Sequence, residues 1–374
     1  MRVDVQHHGR GRLLAAGPAS GGVGDFFEHA VDALRDAGWS ITTLRPEERG
    51  SPFLAAARLA IRHRRALRGS DAVHCEFGSN DLGVFWFAVL ASLVRRDCVL
   101  VAHDVPKLAL APGAALIARS SRLRTVVAHR LLSPMLDPLI RRYVRRRAGA
   151  WVVFGSAARD LWRNRVRGRV SVARHGALRT SGDGCPPSRG EHVLFAGFLG
   201  PSKGLDTLID CWRRVGSRTS LPLKIAGDTP AAFATLVEAL REQGDRLPNR
   251  PQWLGAVADE DDFQRLFARA ALVVLPYRQS SAASGILVRA MVEGRCVVAT
   301  RVPAMVDAIT PERNGVLVEP DDAQALCDAV ERLLRSPGER DQLGAAAAAA
   351  ARELFSWRGY VEGVEAAYSS ACER

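Results

Sequence analysis

Val193–Ile209 reads VLFAGFLGPSKGLDTLI. An apolar run is followed by a loop holding Gly197, Gly200, Lys203 and Gly204, and then by Leu205, Leu208 and Ile209 at helical spacing. A strand, a glycine loop and a helix start in that order direct backbone N–H groups and the positive end of the helix at one place. Lys203 adds a mobile point charge there. This is the chemistry that holds a diphosphate, so the stretch predicts an α/β unit that binds a nucleotide-linked substrate.

The same alternation runs outward in both directions. Toward the N-terminus, Leu13–Ala16 leads into GPASGGVG and then a helix expected to start near Asp25, with Phe27, Ala30, Val31 and Leu34 on one face. Ile41–Leu44, Ala72–Phe77, Cys98–His103 and Ala150–Gly155 are further short apolar runs bounded by loops. Toward the C-terminus come HVLFAG, PLKIAG, LVVLPY, CVVATR and GVLVEP, with a helix expected at Ala323–Leu334 behind the acidic EPDD. Ala345–Ala351 reads as helix on propensity. Such alternation implies parallel sheets covered on both faces. TSGDGCPPSRG, residues 180–190, interrupts it and reads as a linker. The predicted organisation is an N-terminal Rossmann-like domain over 1–180, a linker over 181–190, and a C-terminal Rossmann-like domain over 191–357. Ligands are expected at the strand C-terminal ends, in a cleft that the two domains face.

Composition agrees with a globular chain: 374 residues, 47% apolar and 25% charged. The seven cysteines form no CxxC pair and no metal-ligand spacing, which fits reduced thiols in the cytoplasm. The N-terminal MRVDVQHHGRGRLLAAG has only a four-residue apolar run, which argues against a cleaved signal peptide. Leu82–Val94 is apolar over 13 residues, too short to span a bilayer as a helix, and reads as a buried segment.

The formal charge of +12 is uneven. Residues 1–180 hold 30 basic against 14 acidic side chains, and the remainder 22 against 26. Arg119–Arg147 alone carries nine arginines and one acid, interleaved with apolar residues. The first half is therefore expected to meet something anionic, with an anionic membrane surface as one partner and a solvated face as the plain alternative. No nucleic-acid module accompanies the charge, and no nucleic-acid partner is expected.

On LFAGFLGPSKGLDTLI, KIAGD, ALVVLPYRQSSAASGILVRAMVEGRCVVATRVPAMVDAI, NGVLVEPDDAQAL and FSW, the second half resembles the donor domain of retaining glycosyltransferases of family 4, which have the GT-B fold. GGVGDFFEHAVDALRDAGWSITTL and VLVAHDVP extend the resemblance more weakly into the first half. The resemblance implies that Lys203 meets the donor pyrophosphate. It implies that Gly21, Gly22 and Gly24, ahead of a helix, approach the donor phosphate and the acceptor, and that His103 lies against the donor sugar. His175-Gly176 looks like the family's boundary motif, and residues 358–374 look like the helix that returns to the first domain.

Two departures stand out. The family's glutamate pair is replaced by Ser281 and Arg289, and the arginine that accompanies the lysine is replaced by Phe198. Ser284-Gly285-Ile286-Leu287 looks like a variant of that site, in which helix-start N–H groups hold the phosphate and Ser284 adds a hydroxyl. Phe198, Ser281, Arg289, Ala256 and Val257 are expected near the donor sugar or nucleotide. Glu293 and Arg289 are expected to form an i, i+4 pair.

The resemblance implies a retaining glycosyltransferase that moves a sugar from a nucleotide-diphosphate sugar to an acceptor hydroxyl. The acceptor is read as lipid-linked or anionic, the enzyme as cytoplasmic or peripheral on the inner face of the membrane. No metal or other cofactor is expected. Two alternatives stand beside it: a non-catalytic partner subunit that binds nucleotide or sugar, and a sugar-nucleotide epimerase or hydrolase.

Overall fold

The computed structural model describes residues 10–19, 21–46, 52–78, 81–95, 97–103, 149–163, 169–177, 180, 182, 184–280 and 284–372. They form two compact units, one from the residues up to Gly176 together with those from Ser356, the other from Ala177 to Phe355. Arg119–Arg147, Asp104, Pro106 and Ser281 lie outside the described residues.

The first unit is built on a parallel sheet of strands β1 (Gly11–Ala16), β2 (Trp39–Leu44), β3 (Ala72–Phe77), β4 (Cys98–Ala102), β5 (Ala150–Phe154) and β6 (Arg169–Ala173). Their order is β2-β1-β3-β4-β5-β6. Alternate residues of β3 serve opposite faces. Val73, Cys75 and Phe77 join a core with Leu14, Leu100 and Trp151, under α2 (Pro52–Arg62) and α4 (Leu82–Val94). His74 and Glu76 point the other way. The apolar segment 82–94 is the single helix α4, buried at eight of its 13 positions. Among the described residues, no helix is long and apolar enough to cross a membrane.

Helix α1 starts at Gly21 and runs to Asp36, four residues ahead of the expected start at Asp25. Gly21, Gly22 and Gly24 therefore lie within its first turn instead of preceding it. The glycines are tolerated there because first-turn N–H groups have no intrahelical partner to lose. Phe26, Phe27, Ala30, Val31 and Leu34 form its buried face. The last helix of the chain, Trp357–Cys372, packs on β4, β5, β6 and α1. A Cβ at Gly363 would press on the backbone of Ala173, so glycine lets this helix lie close to the sheet edge.

The second unit has its own parallel sheet: β7 (His192–Ala196), β8 (Leu223–Ala226), β9 (Gln252–Gly255), β10 (Ala270–Leu275), β11 (Val297–Thr300) and β12 (Val316–Val318). The order is β9-β8-β7-β10-β11-β12, so it reverses direction between β7 and β10. Both faces are covered. Val193, Phe195, Ile225, Leu272 and Val274 pack with Leu208, Trp212, Leu326 and Val330 on one side. Leu194, Ala196, Val273, Leu275 and Val297 pack with Phe267, Leu287, Met291 and Ala347 on the other. This is a doubly wound Rossmann-like unit, as the valine-rich runs predict. The alanine run lies inside the helix Pro337–Leu354, and Asp322 caps the helix Ala323–Arg335 by accepting from the Ala325 N–H at 2.9 Å. Of the stretch read as a linker, Pro187–Gly190 packs into this unit: the Ser188 N–H donates to Asp341, and Gly190 lies against the backbone of Ala271.

Candidate functional site

The reversal of strand order in the second sheet leaves the loops after β7 and β10 side by side, which is where an open α/β sheet binds its ligands. After β7, Gly197 takes φ +120° and its N–H donates to the Ala226 carbonyl. Phe198 is exposed and Leu199 is buried. A single 3-10 turn, Pro201–Lys203, follows, and Gly204 at φ +65° opens helix α6 (Leu205–Val215). A Cβ at Gly204 would overlap the Pro276 carbonyl oxygen, so only glycine allows this approach.

Arg278 fastens the loop from the β10 side. Its guanidinium donates to both Asp206 carboxylate oxygens, to the Pro201 carbonyl and to Thr207 Oγ1, while its own N–H donates to the Ser202 carbonyl. Burial would raise the Asp206 carboxyl, but the hydrogen bonds and charge of Arg278 hold it below the usual range. Lys203 Nζ sits 3.8 Å from the centroid of the Tyr277 ring, a cation–π contact. Tyr277 is buried, and its hydroxyl donates to the Ala196 carbonyl at 3.3 Å.

After β10, helix α9 spans Gly285–Val292 with Ser284 as its N-cap. Ser284 Oγ accepts from the Leu287 N–H at 3.3 Å, an interaction that does not use its hydroxyl hydrogen. The first intrahelical bond runs from Val288 N–H to the Ser284 carbonyl, so the Gly285 and Ile286 amides precede it. Ile286 abuts the β7 loop, since a Cβ at Gly197 would lie 3.5 Å from its side chain. The fold thus brings Gly197, Lys203, Tyr277 and the start of α9 together. Ala256 and Val257 follow β9, the first exposed and the second packed on the apolar core, and the Gly227 N–H donates to the Gly255 carbonyl beside them.

Arg289 is buried, and its side chain is already engaged. It donates to Glu260 at 2.6 Å and to Gln264 Oε1 at 2.8 Å, and lies over the Phe263 ring. Gln264 in turn donates to Glu293 at 2.7 Å. Gln264, from helix α8 (Glu260–Ala268), therefore bridges the two residues that the spacing predicts as a direct pair.

In the first unit, Gly21 takes φ +77°, and a side chain at Gly21 or Gly22 would meet nothing within 4 Å. His103 follows β4, its N–H donating to the Phe77 carbonyl. Its imidazole lies edge-on to Phe26, with ring centroids 4.8 Å apart, and Nε2 is 3.1 Å from Glu76 Oε1. Glu76 is fully buried. Burial alone would raise its carboxyl, but the hydrogen bond from His103 and the charge of the His103 and His74 imidazoles outweigh this and hold it at about 2. Nothing in the sequence singles out Glu76 beyond being an acid in the apolar run AVHCEF. His175 is buried, with Nδ1 2.8 Å from the Gly176 carbonyl oxygen, and Gly176 lies against the Trp357 ring. Among the described residues, no group of three or more His, Cys, Asp or Glu side chains could hold a metal ion.

Residues 190–336 match the family model described as "Glycosyl transferases group 1". Curated relatives include the D-inositol 3-phosphate glycosyltransferases of a Nocardioides species and of Corynebacterium diphtheriae. The first is 28% identical over 178 residues, 44% of this chain and 38% of that protein. The second is 29% identical over 177 residues, 46% of this chain and 40% of that protein. The chain spans less than half the length of the curated relatives it matches. Among solved structures, sucrose-phosphate synthase from Thermosynechococcus elongatus superposes with a TM-score of 0.72 at 18% identity, over 97% of this chain and 100% of that one. Anabaena HepE in complex with UDP and glucose gives 0.69 at 18%, over 96% and 100%. The fold is thus of the GT-B kind, with two Rossmann-like domains, and the stretch that matches the group 1 glycosyltransferase model, residues 190–336, lies in the second unit.

Proposed function

We propose that the chain is a retaining glycosyltransferase of family 4, moving a sugar from a nucleotide-diphosphate sugar to an acceptor hydroxyl. The observation that carries this reading is that the Lys203 loop after β7 and the helix start at Ser284–Ile286 after β10, two elements whose chemistry suits a phosphate, meet at the switch point of the second sheet. As the glycosidic bond to the diphosphate breaks, negative charge builds on the departing phosphate. Lys203 and the Gly285 and Ile286 amides would stabilise it. A phosphate oxygen of the leaving group takes the acceptor proton on the same face, so the protein chiefly positions two substrates. His103 contacts the donor sugar, with Gly21, Gly22 and Gly24 toward the donor phosphate and acceptor. Phe198, Ser281, Ala256 and Val257 border the nucleotide and sugar.

HepE, with which the chain shares its fold, binds UDP and glucose, which makes UDP the first donor base to try. The acceptor is anionic or lies at a membrane surface. The basic excess of residues 1–180 supports this, as does the inositol phosphate in the names of two relatives. With Lys203 and the helix amides supplying the positive charge, turnover should need no metal and survive a chelator.

The test is a thermal-shift and turnover panel of UDP, GDP, ADP, TDP and their sugar conjugates on the wild type and Lys203→Ala. A ligand at about 100 times its Kd adds about 2.7 kcal/mol of stability. One base should stabilise the wild type and do so less in the variant; no shift with any nucleotide removes the donor-site reading. A second reading, a partner subunit that binds nucleotide without turning it over, is favoured by Arg289, which replaces a carboxylate and is spent on Glu260 and Gln264. Binding without release of nucleotide from any sugar conjugate would select it.

A further inference from the structure

Glu76 is a costly residue for a merely structural position. Both faces of β3 are covered, and every residue of the strand is buried. Its Oε1 receives two donors, the Tyr360 hydroxyl at 3.2 Å and His103 Nε2 at 3.1 Å. Its Oε2 has no hydrogen-bond partner, with His74 Nε2 standing 3.8 Å away. A buried carboxylate oxygen left without a partner is destabilising, and an apolar side chain of similar volume would avoid that penalty. The surrounding groups are arranged to hold this one carboxylate still. His74 is fixed from behind by Tyr368, whose hydroxyl lies 2.9 Å from Nδ1. Tyr360 and Tyr368 both come from the helix Trp357–Cys372, so the last helix of the chain braces the back of β3. The buried Phe26 and Phe154 flank the His103 ring, with centroids at 4.8 and 4.9 Å.

We infer that Glu76 is the positioning residue for His103: by accepting the Nε2–H it fixes the tautomer and plane of the imidazole and leaves Nδ1 as the ring nitrogen for a substrate oxygen. The two nitrogens of a histidine are distinct, and the hydrogen bond at one decides what the other can do. Phe26 and Phe154 restrict rotation of the ring, and Glu76 chooses between the two orientations that they still allow. Tyr360 supplies the second hydrogen bond that keeps the carboxylate aimed at His103 instead of at His74.

This inference rests on His103 acting at the donor sugar, and a double-mutant cycle separates the two claims. In the wild-type background, Glu76→Leu should lower kcat about 100-fold, the scale of a misplaced group. The donor KM should move by less than about threefold. Glu76→Gln keeps an oxygen that accepts from Nε2–H and should retain most of the activity. In a His103→Ala background, Glu76→Leu should cost nothing further. An equal loss in both backgrounds overturns the inference and makes Glu76 a structural residue. Wild-type activity in His103→Ala itself overturns the reading beneath it. Nitrogen-15 spectra of histidine-labelled wild type give a readout that does not depend on a stable variant. In the neutral form of the ring, the His103 proton, assigned by its absence in His103→Ala, should sit on Nε2. A proton on Nδ1, or an equal mixture, overturns the inference.

Discussion

Arg278 closes a fork onto Asp206, with Nη1 2.7 Å from Oδ1 and Nη2 2.8 Å from Oδ2. The pair spans the base of the loop that carries Lys203, and the same guanidinium also caps the Pro201 carbonyl. Asp206 lies in the first turn of α6, so loop and helix are fixed by one planar group. Lysine cannot reproduce a bidentate contact. Arg278→Lys should cost only about 1 kcal/mol of stability, because the pair is partly exposed. It should weaken nucleoside diphosphate binding by about tenfold, because the Lys203 loop is no longer preorganised. Calorimetric titration beside urea unfolding would check this; unchanged affinity at reduced stability would show that the fork does not serve the site.

Two glycines near the same site should answer oppositely to alanine. At Gly204, positive φ and the Pro276 carbonyl exclude a side chain, so Gly204→Ala should destabilise the fold by about 2 kcal/mol or more. At Gly285 an added methyl group meets nothing within 4 Å, and Gly285→Ala should leave stability equal or raise it by up to about 0.5 kcal/mol. Yet that methyl stands beside the amides proposed to hold phosphate, and glycine there lets an anion approach the backbone. Nucleotide affinity should therefore fall in Gly285→Ala while the melting temperature does not. Affinity equal to wild type would remove the start of α9 from the phosphate site.

Why some of this could be read from the sequence and some could not follows from where each residue packs. The central strands announce themselves because both faces are covered, giving unbroken runs such as AWVVF and ALVVL. The edge strands β6 (RVSVA) and β9 (QWLG) are only partly buried, and their mixed composition carries no such signal. The Lys203 loop is legible because glycine spacing encodes backbone conformation directly. The partners of Arg289 are not, because Gln264 lies 25 residues away on another helix and meets it only through tertiary packing. Glu76 is hidden for the same reason: what marks it is convergence of His74, His103 and Tyr360, from three separate elements.

His192, the first residue of β7, predicts how the second unit responds to acid. Its Nε2–H donates to the Leu266 carbonyl at 3.0 Å, and its Nδ1 is buried without a partner. Protonation would place a second N–H where nothing accepts it. Burial, with Lys224 adding to it, lowers the imidazole from 6.5 to about 4. Between those values the unfolded chain binds more protons than the folded one, so stability rises with pH across the window and is fully present above it. Acidification from pH 7.5 to 4 should therefore remove about 3 kcal/mol through this residue, starting near 6.5 and levelling off near 4. His192→Gln keeps a donor for the Leu266 carbonyl but cannot be protonated. Urea unfolding of the second unit at several pH values should show a slope between 6.5 and 4 in the wild type that the variant lacks. Parallel curves would mean that water or a local opening reaches Nδ1, and that the buried ring is not what makes this strand acid-sensitive.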